Sequence, residues 1–164
     1  MRVLLVTASA VAGFGLFALA GQETSLPAVY TATQAAAGRT AYRSTCGKCH
    51  LESLLGRTGV PGEVPPLDSL PPDMQEVVRA SGGQVPPLAG ADFLAGWGAR
   101  TTQDLSARVK VAVGGFRPPA SDKDTYLDLT AFFLQVNGAR AGSQALTAGT
   151  AVEIRSIVAA PTAH

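Results

Sequence analysis

Cys46-Gly47-Lys48-Cys49-His50 constrains this chain more than any other run, because it sets two thiols three positions apart with an imidazole directly after them. Cys-x-x-Cys-His is the spacing used for covalent attachment of a c-type haem. Each thiol can add to one vinyl group of a porphyrin, and the histidine can turn beneath the ring and offer a nitrogen to iron. Five residues would then supply both the tether and the proximal ligand, and the remaining chain would have to wrap one flat apolar group.

Two other uses of such a pair fit less well. A redox disulfide of the thioredoxin kind follows a strand in a βαβ pattern, and no such pattern precedes Cys46. A structural zinc site needs four soft ligands, whereas the whole chain holds two cysteines and two histidines, the second histidine being His164.

The first twenty residues carry one charge, Arg2, then an uncharged and largely apolar stretch from Val3 to Ala20 that closes on Ala18-Leu19-Ala20. This pattern predicts an export signal at residues 1–20, with an A-x-A-like cleavage site after Ala20. An uncleaved anchor is the alternative, since the run is about long enough to span a bilayer. Export implies a periplasmic protein, or one anchored and facing the periplasm, where free thiols end as disulfides unless something else claims them. Of the 13 basic residues, removal of Arg2 leaves as many as the 12 acidic ones. No net charge then steers the protein toward nucleic acid or an anionic membrane.

Helical signals dominate the rest of the chain. Thr31-Ala32-Thr33-Gln34 has the form of a capping box ahead of an alanine-rich run, and Gly38, Tyr42 and Cys46 recur at intervals of four on one face. The segment from Leu51 to Gln84 is rich in Pro and Gly, and only Pro72 to Ala80 reads as a helix there, with Met74, Val77 and Val78 on one side and Gly82-Gly83 as its stop. Phe93, Leu94 and Trp97 predict a short helix after Gly90, and Thr101 to Val113 another that ends at Gly114-Gly115. A last helix is expected from a Ser121-x-x-Asp124 cap through Tyr126, Leu129, Phe133 and Val136 to Asn137-Gly138. No strand pattern interrupts the series, so the expected fold class is all-α, with long loops around one haem. Residues 31–142 form the expected domain. Residues 143–164 read as a tail, in which only Ala151 to Val158 offers a segment able to pack, as a short strand or as nothing ordered.

Taken together, residues 31 to 146 resemble a class I c-type cytochrome. Gly38, Tyr42 and the Cys46 to His50 motif are similar to that family's N-terminal helix, and Tyr126 to Val136 to the C-terminal helix that crosses it nearly at right angles. Pro86-Pro87-Leu88-Ala89-Gly90 resembles the family's Pro-x-Leu-x-Gly turn. The resemblance implies that the Pro86 carbonyl receives the second N–H of His50, which would make the imidazole a stronger donor to iron. It also implies that Trp97 lies beside a haem propionate, where an indole N–H can donate.

One departure stands out. Where the family places Met-Pro-Pro, with that methionine as distal ligand, this chain reads Phe116-Arg117-Pro118-Pro119. A guanidinium stays protonated and offers iron no lone pair. Met74 is then the one thioether left after signal removal, which makes it a candidate metal ligand beside His50, although its place among Val77 and Val78 equally suits an adaptable apolar filler. His164 is a further candidate, and an iron with no sixth ligand is the remaining option.

The expected function is that of a monohaem electron carrier and not of an enzyme, serving redox partners such as a periplasmic dehydrogenase or a terminal oxidase. Lys48 could help dock an acidic partner, or simply be solvated. The run from Leu134 to Gly142 resembles cytochrome modules that serve quinoprotein dehydrogenases, which makes a dehydrogenase subunit an alternative. An open sixth position would instead suit a gas sensor or weak peroxidase.

Overall fold

A computed structural model describes residues 26–116 and 124–159. The export segment at 1–20, His164, and the Arg117-Pro118-Pro119 and Ser121 positions lie outside the described residues. Among the described residues the chain is mostly helical: α1 (Ala32–Ser44), α2 (Gly47–His50), α3 (Pro72–Ala80), α4 (Gly90–Trp97), α5 (Thr102–Phe116) and α6 (Thr125–Val136). Two 3-10 turns, Leu67–Ser69 and Ile154–Ser156, complete the helical set. One feature departs from the expected series of helices: β1 (Arg57–Thr58) and β2 (Gln84–Val85) pair antiparallel, Arg57 opposite Val85. Strands of two residues are too short to show an alternation, so periodicity cannot reveal them.

Helix α1 starts as its sequence dictates. Thr31 Oγ1 accepts from Gln34 N–H at 3.2 Å and Gln34 Oε1 accepts from Thr31 N–H at 3.3 Å, which satisfies two of the donors a helix start leaves open. Helix α6 is buried on nearly every side, from Tyr126 to Leu134, so it is the central rod against which α1 and α5 pack. Gly38 sets the α1–α6 distance: a Cβ there would overlap the Asp128 carbonyl and come within 2.9 Å of Phe132 Cβ. One turn on, the Tyr42 ring meets Phe132 at 5.4 Å and Phe133 edge-on at 6.0 Å between centroids.

Other boundaries differ in detail. Helix α5 continues through Gly114-Gly115, because neither glycine takes the left-handed backbone that would end it. Helix α6 begins at Thr125 with Asp124 at the N-cap position, where its side chain makes no capping bond. On α3, Val78 is buried whereas Val77 is 54% exposed, so Val77 does not share the packed face of Met74 and Val78.

Residues 143–159, the described part of the expected tail, pack against the main core. Leu146, Ile154, Ile157 and Val158 are all buried in the main core. The backbone of this segment is tied to side chains and helix ends: Leu146 N–H donates to Gln34 Oε1, Thr102 Oγ1 donates to Thr150 O, and Ile154 N–H donates to Arg100 O. These bonds give irregular backbone partners without forming a regular element. The apolar residues follow neither a helical nor a strand period, which is why composition alone suggests a tail.

Candidate functional site

The motif forms a single helical turn. Cys49 N–H and His50 N–H both donate to Cys46 O, at 3.1 and 2.9 Å, which puts the two thiols one turn apart and His50 at its end. Directly after it the backbone reverses. Leu51 has φ 64°, an uncommon conformation for a branched residue, and its carbonyl accepts the Tyr42 hydroxyl at 2.5 Å. A buried phenol thereby clamps the exit of the motif, and burial raises the Tyr42 pKa well above its ordinary value.

His50 Nδ1 lies 2.9 Å from Pro86 O. A carbonyl can only accept, so Nδ1 must carry the proton, and in the neutral imidazole that leaves the lone pair on Nε2. Burial lowers the His50 pKa, with the Pro86 carbonyl acting in the opposite direction. The resulting neutral ring is the form that binds a metal.

Pro86 is itself held from two sides. Gly56, at φ 71°, lets the backbone close on it: a Cβ at Gly56 would overlap Val85 O and reach 2.8 Å from Pro86 O. Gly56 N–H also donates back to His50 O, and Leu88 N–H donates to Leu54 O. From the other side Asn137, at the end of α6, donates through Nδ2 to Leu88 O and accepts at Oδ1 from Gly90 N–H, both at 3.0 Å. The sequence pattern marks Asn137 only as a helix stop. An asparagine closing an apolar helix, in a chain that also carries a proline-rich turn, is the available sign that it braces that turn.

The two cysteines face different surroundings. Cys46 packs against the main core, while Cys49 packs with Leu67 and Met74 on a small second cluster of Leu70, Val78 and Val85. Burial, then the neighbouring Cys49, push the Cys46 thiol up to about 11. Cys49 is also raised by burial, which Arg57 partly offsets. Both shifts favour the protonated thiol at neutral pH. An open cleft of about 390 Å³ runs beside the turn, between Lys48, Leu51 and Glu52 on one wall and Ser69, Leu70 and Pro71 on the other.

The remaining predicted residues separate. Met74 belongs to the second cluster, on the same apolar surface as Cys49. Trp97 packs on the main core, stacked on Phe93 at 6.4 Å and under the Arg100 guanidinium at 5.0 Å. Of the three, Pro86 is the one hydrogen-bonded to His50.

Arg57 carries no signal in the sequence. Its side chain is 2% exposed, Nη1 donates to Pro65 O at 2.8 Å and to Glu63 Oε2 at 3.4 Å, and Nε and Nη2 are buried with no partner among the described residues. A lone arginine between Gly56 and Thr58 in a Pro/Gly-rich stretch has no periodic context, so only the fold reveals its burial.

Two thiols one turn apart and a neutral imidazole held at Nδ1 would fit a covalently attached porphyrin. Among the described residues no helix is long and apolar enough to cross a membrane. Compared with known proteins, the chain matches no family model, no curated protein and no solved structure.

Proposed function

We propose that this chain is an exported, periplasmic monohaem cytochrome of the c type that carries single electrons between redox partners. The observation that carries this is the His50 Nδ1 to Pro86 O contact, which fixes tautomer and ring orientation at the end of the Cys46–Cys49 turn. When bound, the haem supplies a one-electron couple. Cys46 and Cys49 would hold the porphyrin against loss, His50 Nε2 would be the proximal ligand, and the two apolar clusters that the cysteines touch would exclude water from the ring. Met74 stands on the Cys49 side as either the distal ligand or apolar packing at the ring.

A second function, binding of a small gas or peroxide at an open iron position, is favoured by the lack of any methionine in Phe116-Arg117-Pro118-Pro119. Optical spectra decide between them, taken on ferric and ferrous protein from a host that matures c-type haem, with and without carbon monoxide, for wild type and Met74→Ala. Electron transfer with Met74 ligation predicts a thioether charge-transfer band, lost in the variant, and slow carbon monoxide binding. Rapid carbon monoxide binding in both proteins contradicts it and supports the open site.

A further inference from the structure

We propose that Asn137 is a positioning residue for the proximal ligand: its carboxamide holds the Pro86 carbonyl against His50 and thereby sets how strongly the imidazole donates to iron. This rests on the haem function proposed above. The acceptor of the His50 bond stands in a run that cannot brace itself. Pro86 and Pro87 have no backbone N–H, so neither can donate a main-chain bond. Upstream, Val85 is fixed by its pairing with Arg57. Downstream, Leu88 N–H reaches Leu54 O at 2.7 Å, while the Leu88 carbonyl and the Gly90 N–H are both met by one side chain, that of Asn137.

The carboxamide suits both ends of that task. Asn137 is buried, Oδ1 accepts from Gly90 N–H at 3.0 Å, and Nδ2 donates to Leu88 O at 3.0 Å and to Phe133 O at 2.7 Å. Such a pattern needs donor and acceptor in one short planar group: Asp lacks the donor, Ser lacks the reach, and Leu of similar size lacks both. Two helix ends depend on it. Ala89, at the N-cap of α4, has no capping side chain, so Asn137 meets an open donor of that helix start from 47 positions away. At the end of α6 it also meets the Phe133 carbonyl. The turn that presents Pro86 O is thus tied to the central rod of the fold. A firmer Nδ1–H···O bond makes the imidazole a better donor and favours ferric iron, so freeing the turn should raise the reduction potential.

The test compares haem-loaded wild type with Asn137→Leu, Asn137→Ser and Leu146→Ala, the last removing a fully buried side chain of the main core whose backbone is tied to Gln34. Chain mass first establishes covalent haem. Two quantities are then read: the reduction potential, and the exchange of the His50 Nδ1 proton with deuterated water, followed by NMR on ferrous protein. Both Asn137 variants are expected to raise the potential and to speed that exchange about tenfold, the factor that corresponds to the net contribution of one hydrogen bond. Leu146→Ala is expected to lower the melting temperature and leave both quantities at their wild-type values. The smaller Ser lets water meet the Phe133 carbonyl, so Asn137→Ser decides the matter if the Leu variant does not fold. Wild-type potential and exchange in the folded Asn137 variants overturn the positioning role and leave Asn137 as a cap shared by two helices. Shifts in Leu146→Ala as large as those at Asn137 overturn it too, since they trace the effect to stability at large. Wild-type chain without covalent haem is a different failure, visible in the mass alone, and defeats the proposed function itself.

Discussion

The main core and the small cluster beside the motif are built on different terms. The main core is closed by its own side chains: α1 and α5 pack on α6, Leu146, Ile154, Ile157 and Val158 join the same cluster, and its buried aromatic rings meet one another. The small cluster has three buried residues, Leu70, Val78 and Val85, with Leu67, Met74 and Cys49 half-buried at its margin and a buried arginine whose outer edge lacks a partner among the described residues. The first region is complete as protein. The second is a small apolar cluster with half-buried side chains at its margin, a surface that the proposed haem would cover.

That contrast can be broken at several points. The largest effect is expected from Gly38→Val, since the obstruction is the Asp128 backbone carbonyl and cannot rotate away. Helices α1 and α6 could then not meet, and the loss should exceed about 5 kcal/mol, the whole stability of a marginal domain. Denaturant unfolding would show it as loss of the cooperative transition.

Next comes Ile154→Ala, which removes a fully buried side chain from the segment that composition suggests is a tail. About 3 kcal/mol should be lost, read from the shift in denaturant midpoint. A change below about 0.5 kcal/mol, as expected of an ordinary surface site, would return that segment to the status of a tail.

Val78→Ala probes the smaller cluster, and about 1–2 kcal/mol is expected from the methyl groups lost. If it costs as much as Ile154→Ala, the two regions are not built differently. The smallest effect at neutral pH is the titration of Tyr30, whose hydroxyl donates to Ala139 O at 2.6 Å and whose pKa is raised by burial above 10.0. With the folded value above the unfolded one, its contribution is fully present below about pH 10 and is lost as pH rises toward the folded value. A melting-temperature profile that falls with alkali in wild type and less steeply in Tyr30→Phe would show this.

The same contrast governs what can be read from residues alone. Helices with a periodic face or a cap are legible: the Thr31–Gln34 box, the α3 span from Pro72 to Ala80, and the apolar rod around Phe133. The Cys46 to His50 turn is legible because its chemistry is local. Contacts made by irregular backbone are not, because the Gln34 bonds to Leu146 and the Asn137 brace join residues more than forty positions apart. Arg57 shows the limit most plainly. Whether an arginine is solvated or buried depends on which chain segments fold over it, and a two-residue ladder leaves no pattern to announce that.

Whether Cys46 and Cys49 together hold one porphyrin is decided by the intact mass of the chain after extraction of unattached haem, from a host that matures c-type haem. Wild type is expected at the mass of the polypeptide plus one haem, and the Cys46→Ser, Cys49→Ser double variant at that of the bare polypeptide. A bare polypeptide mass for the wild type would contradict it.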